Sequence, residues 1–206
     1  MDLEFIACPV CAVQDTRPLF AKDGFSVVTC DSCNLKYVNP RLRSSSLEEN
    51  YIDGYYPATK RNHIQYNEME WLQMEERLGE IQRKFPYQGR ILDLGCGMGT
   101  FLYLARKRGW ETFGVDLSQD GVSFARDNYN LNVFCGNVFE MDFPSHYFDV
   151  ITLYHVLEHV PEPNLLLEEL RRILKPKEGC LVVEVPNGES IQIRIQRENW
   201  PYVHPA

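Results

Sequence analysis

The sequence predicts an α/β protein: a doubly wound, mainly parallel sheet flanked by helices, with a small cysteine-rich module in front of it. Three observations lead there. From Arg90 onward, short apolar runs alternate with longer helical patterns. A glycine-rich turn, Gly95-Cys-Gly97-Met-Gly99, follows the first of those runs. Two Cys-x-x-Cys pairs, Cys8/Cys11 and Cys30/Cys33, head the chain. Strands alternating with helices imply parallel pairing through right-handed crossovers.

Taken in order, residues 1–40 form the cysteine module. Its two pairs are 18 residues apart, which matches a zinc-ribbon pattern. A two-residue gap lets both thiolates of a pair reach one tetrahedral ion, and Phe25-Ser-Val-Val28 can form a hairpin strand joining the pairs. A metal would stabilise a segment too short for its own core. A closed four-cysteine site leaves no position for substrate, so a Zn2+ there is structural; a redox pair and unligated thiols are the other readings. Cys96, Cys135 and Cys180 stand alone and read as packed small residues.

Residues 41–88 read as a helical linker or cap. Ser44-Ser-Ser-Leu-Glu-Glu49 resembles a helix start, and a longer helix is expected over about 65–84 with Met69, Leu72, Leu78 and Ile81 as its apolar stripe. Tyr51, Tyr55, Tyr56 and Tyr66 could roof a substrate or simply pack this linker.

Residues 89–206 carry the sheet. The expected strands are Ile91–Leu94, Glu111–Asp116, Val133–Cys135, Phe148–Leu153 and Cys180–Val185. The expected helices are Thr100–Arg108, Ser118–Asn128 and Pro163–Leu174, while Ile191–Ile195 fits a strand or a helix. Ligands in such sheets bind at the carboxyl ends of the strands. There the glycines permit a tight turn and a close approach of ligand to backbone. The dinucleotide spacing G-x-G-x-x-G fails, because its last position is Thr100. Asp93, two residues before the first glycine, would repel a pyrophosphate but suits S-adenosylmethionine, which carries an ammonium and a sulfonium. Asp116, at the end of the second strand, can accept from ribose hydroxyls of either ligand.

These residues resemble the class I S-adenosylmethionine-dependent methyltransferases, a Rossmann-like fold. The likeness covers about residues 65–187 and rests on Ile91-Leu-Asp-Leu-Gly-Cys-Gly-Met-Gly-Thr100, Gly114-Val-Asp-Leu-Ser118, Phe148-Asp-Val-Ile-Thr152 and His155-Val-Leu-Glu-His-Val160. It implies that Gly95, Cys96 and Gly97 hold the methionine and ribose portions. Asp93 would lie near the amino group, Asp116 on the ribose hydroxyls and Leu117 against adenine. Asn137, where many relatives have aspartate, and Val138 would edge the adenine, and Tyr154 would line the methionine pocket through its backbone. With the cysteine module added, the chain is similar to bacterial zinc-ribbon methyltransferases, some acting on nucleotide-linked deoxysugars, and to the ubiquinone-type O-methyltransferase group. The implied acceptor is a small molecule or a nucleotide sugar.

Methyl transfer from a sulfonium is chiefly alignment, and an oxygen or carbon acceptor also needs a base. His155, Glu158 and His159 follow the fourth strand at helical spacing and are the candidates, with a purely structural role as the alternative. A nicotinamide-dependent oxidoreductase is opposed by Asp93 and Thr100. A non-catalytic binding module is the other competing reading.

The net charge of −8 argues against a polyanionic partner such as nucleic acid. No signal peptide and no membrane-spanning run are visible, so the cytoplasm is the expected compartment. The resemblance implies seven strands and the sequence supplies five, so the chain is expected to be cut short. The fifth strand or its neighbour would then expose an apolar edge open to dimerisation.

Overall fold

A computed structural model describes residues 3–43 and 68–199. The expected helix start at 44–49 and Tyr51, Tyr55, Tyr56 and Tyr66 lie outside the described residues.

The N-terminal part is antiparallel. Strands β2 (Thr16–Lys22), β3 (Phe25–Cys30) and β4 (Lys36–Val38) form one sheet, and β1 (Leu3–Glu4) pairs with β5 (Arg41–Leu42) in a second. Helix α1 (Glu68–Lys84) then leads into the parallel sheet. Its buried stripe differs from the expected one. Leu78 and Ile81 are buried, with Trp71 and Met74 packed beside them, whereas Met69 and Leu72 point outward. The positions 71, 74, 78 and 81 keep a truer helical period than 69 and 72 do.

The sheet contains β6 (Arg90–Leu94), β7 (Glu111–Asp116), β8 (Asn132–Cys135), β9 (Val150–Tyr154) and β10 (Cys180–Glu184). They are parallel and ordered β10-β9-β6-β7-β8. Helices α2 (Thr100–Lys107), α3 (Gln119–Tyr129) and α4 (Pro163–Ile173) complete the crossovers. This is the Rossmann-like, doubly wound architecture that the sequence predicts. The strand order reverses between β6 and β9, which places the ligand crevice at their carboxyl ends.

Side-chain alternation divides the core in two. Ile91, Val133 and Val150 face α1, α2 and α3, together with Leu102, Val122 and Ala125. Leu92, Leu94, Ile151 and Leu153 face α4, together with Leu166, Leu170 and Ile173. Asp93 and Thr152 therefore fall on the α1 side, where polar residues interrupt an apolar face. Helix α5 (Ile191–Gln196), capped by Ser190, settles the ambiguous segment as a helix. It buries Ile193 against Val27 of β3. Among the described residues β10 is an edge strand of the sheet, and Val183 on it is partly exposed.

Candidate functional site

The glycine turn begins where β6 ends. Gly95 and Gly97 both take positive φ, 74° and 50°. A side chain on Gly95 would run into Val156, and one on Gly114, across from Asp93, would meet the Cys96 sulfur at 2.7 Å. The loop thus closes tightly over β7, with the Gly95 amide donating to the Val115 carbonyl. Cys96 is a buried packing residue whose thiol is pushed well up by desolvation, then by Asp93 and Asp116.

Two carboxylates frame the loop. Asp116 accepts from the Gly97 amide at 2.7 Å through one oxygen and from the Ser118 amide at 2.8 Å through the other. Burial raises its pKa, and those two amides oppose the rise. Each oxygen keeps a lone pair for a ligand hydroxyl. Asp93 is buried and accepts a 2.6 Å hydrogen bond from the Thr152 hydroxyl. Desolvation pushes its pKa up to about 7, opposed by Thr152, with Asp116 adding to the rise and the Arg77 guanidinium lowering it. A buried acid of this kind favours a cationic partner.

Leu117 is half exposed beyond Asp116. Asn137 caps a short 3-10 turn, Val138–Glu140: its side chain accepts from the Phe139 amide while Glu140 accepts from the Asn137 amide. Val138 is buried beneath that turn. The Tyr154 ring lies edge-on to Phe101, with centroids 5.4 Å apart, and the Arg77 guanidinium sits 4.3 Å from its centre. Desolvation, then Asp93, raises the Tyr154 pKa.

His155 takes a left-handed conformation, φ 56°, and a 3-10 turn, Leu157–His159, follows. This brings the predicted trio together. The Glu158 carboxylate lies 3.4 Å from His155 Nδ1 and 4.0 Å from His159 Nε2. His155 Nε2 lies 3.1 Å from Glu184, whose two oxygens also receive the Arg77 guanidinium. Arg77 and Glu184 were invisible as site residues in the sequence, because they lie 107 positions apart and no local motif joins them. They line a cavity of about 550 Å³ with Glu76, Glu80, His155 and Asn187.

The cysteine module repeats one geometry twice. Cys8 N donates to Val13 O and Ala12 N to Cys8 O, while Cys30 N donates to Leu35 O and Asn34 N to Cys30 O. Ala12 and Asn34, each just after a pair, both take positive φ. The two knuckles therefore aim their thiols alike. Cys8 and Cys33 sulfurs are 3.6 Å apart, and those of Cys11 and Cys30 are 3.5 Å apart. A tetrahedron with bonds of about 2.3 Å has edges of about 3.8 Å, whereas a disulfide would bring sulfurs to about 2.05 Å. All four ligand atoms lie within 4.8 Å of one another, so the donor set fits a tetrahedral thiophilic ion. Among the described residues, no other group of three or more His, Cys, Asp or Glu gathers so closely, the His155, Glu158 and His159 trio included.

The family described as "Methyltransferase domain" matches residues 52–206. The chain belongs to this family. Among the relatives of this methyltransferase-domain protein, a ubiquinone biosynthesis O-methyltransferase of Coxiella burnetii is 30% identical over 106 residues, 48% of this chain and 45% of the relative. One of the same description from Bradyrhizobium diazoefficiens is 32% identical over 103 residues, 48% of this chain and 40% of the relative. The matched region thus spans less than half of these curated relatives. A solved structure of a SAM-dependent methyltransferase from Archaeoglobus fulgidus is 31% identical, with a TM-score of 0.48, over 64% of this chain and 63% of that one. Among the described residues no helix is long and apolar enough to cross a membrane.

Proposed function

We propose that this methyltransferase-domain protein moves a methyl group from S-adenosylmethionine to a small-molecule acceptor. When bound, S-adenosylmethionine supplies a methyl already activated on its sulfonium. The protein supplies alignment, and the observation that carries the reading is Asp93. A buried acid at the end of β6, beside the glycine turn, suits an ammonium and opposes a pyrophosphate. Asp116 is proposed on the ribose hydroxyls, Leu117 and Val138 on the adenine faces and Asn137 on its edge. Gly95, Cys96 and Gly97 give backbone contact, and Tyr154 closes the methionine end.

On the acceptor side, Glu158 is proposed to orient His159 as the general base. His155, with carboxylates against both ring nitrogens, acts as its positioning neighbour. Of the two acceptor classes implied by the resemblance, the cavity favours one without phosphates, because Glu76, Glu80 and Glu184 outnumber the Arg77 guanidinium. Cys8, Cys11, Cys30 and Cys33 are proposed to hold one structural Zn2+.

Calorimetric titration with S-adenosylmethionine, with NAD as control, tests the reading. Heat with S-adenosylmethionine alone, lost in Asp116→Ala, supports it. Heat with NAD instead overturns it.

A further inference from the structure

The cysteine module does not stand apart from the sheet. Asn164, in the first turn of α4, donates to the Pro9 carbonyl inside the first knuckle at 3.0 Å. Arg41, mostly buried, donates to the Pro161 carbonyl at 2.8 Å, lies 3.6 Å from Glu162 and is itself held by Glu4 at 3.0 Å. Lys36 of β4 pairs with Glu189, and its side chain lies against Gly188. Val27 of β3 and Ile193 of α5 bury one another, with Phe20 and Val38 around them.

These contacts fall on two segments. Pro161 to Asn164 directly follows the turn that carries His155, Glu158 and His159. Residues 187–193 supply Asn187, Ser190 and Gln192 to the cavity lining. Helix α5 has six residues, far too few to persist alone, so its order comes from what Ile193 packs on. That support is β3, the strand ending in the second-knuckle Cys30. The module in turn is too small to hold itself without an ion. By contrast, the two core clusters behind the cofactor corner draw all their residues from α1 onward.

We propose that the four-cysteine module is a brace for the acceptor side: an ion held by Cys8, Cys11, Cys30 and Cys33 keeps the segment 157–164, next to His155, and the cavity wall that begins at Asn187 and runs into α5 in place, independently of the cofactor corner. The inference rests on the metal reading of the cysteines, and it concerns Arg41, Lys36 and Ile193 as positioning residues.

Hydrogen exchange tests it on the whole chain, zinc-loaded and after stripping with a thiol-competitive chelator, with zinc stoichiometry and S-adenosylmethionine affinity measured alongside. Stripping is expected to lower protection in 157–164 and 187–196 at least tenfold. Residues 93–99 and the cofactor affinity should stay within about threefold. The double variant Arg41→Ala, Lys36→Ala should keep one zinc per chain yet lose protection in the same two segments. Loosening confined to 3–43 would overturn the brace and leave the metal reading standing. A chain that takes up no zinc overturns both.

Discussion

Two corners of this molecule meet at the carboxyl ends of β6 and β9 and are built in opposite ways. The proposed cofactor corner is held by backbone: Asp116 grips two amides, Gly95 and Gly97 turn at positive φ, a side chain on Gly95 would clash with Val156, and Asp93 sits in the core. The proposed acceptor corner is held by partly exposed side chains, with an Arg77–Glu184 ion pair between α1 and β10 and with His155, in the loop after β9, lying against Glu158 and Glu184. Buried, backbone-fixed groups suit a ligand that never changes. Solvated ion pairs are individually weak and can be rewritten, which suits a site that sets acceptor identity.

The difference can be broken from either side. The largest effect is expected for Asp116→Ala, which removes the acceptor of two amides and the proposed ribose contact. Charge-assisted bonds of this kind contribute about 1.5–3 kcal/mol each, so S-adenosylmethionine affinity by calorimetry should fall by at least ~100-fold. Next is Gly95→Ala. A non-glycine residue at φ 74° costs about 1–2 kcal/mol, and the collision with Val156 adds to it. Thermal melting should drop by roughly 5–10 °C. Smallest is Glu184→Gln, which loosens Arg77 and His155 on a partly exposed surface. Melting should shift by less than about 4 °C, a cost under ~1 kcal/mol, with cofactor affinity within about threefold. A Glu184→Gln loss as large as that of Asp116→Ala would erase the distinction between the corners.

The geometry of the proposed cofactor corner was legible in the sequence because its parts are local: Asp93, Gly95, Gly97 and the next strand end, Asp116, lie within 24 consecutive residues. The knuckles were legible for the same reason. Arg77, Glu184 and the clasp of Arg41 on Pro161 were not, since each joins elements more than 100 positions apart and follows from packing alone. Strand β5 is similar: Arg41 and Leu42 are paired by register with Glu4 and Leu3, which no pattern in a two-residue strand can reveal. Half of the α1 stripe was legible, Leu78 and Ile81; the rest was not, because Met69 and Leu72 are apolar yet exposed, while Trp71 and Met74 pack inward.

Asp93 offers the most direct test, because its pKa is raised from 3.8 to about 7 by burial. A raised carboxyl favours the folded state fully below its unfolded pKa. That contribution, about 4 kcal/mol, is lost as pH climbs from about 4 to 7, and the buried charge then awaits a cation. The measurement is S-adenosylmethionine affinity by calorimetry at pH 5.5 and 7.5, for the native chain and for Asp93→Asn. If Asp93 receives the ammonium, the native chain binds at least ~10-fold tighter at pH 7.5, and the Asn variant binds weakly with no such rise. Equal affinity at both pH values, or an Asn variant that binds as tightly as the native chain, would contradict the assignment of Asp93.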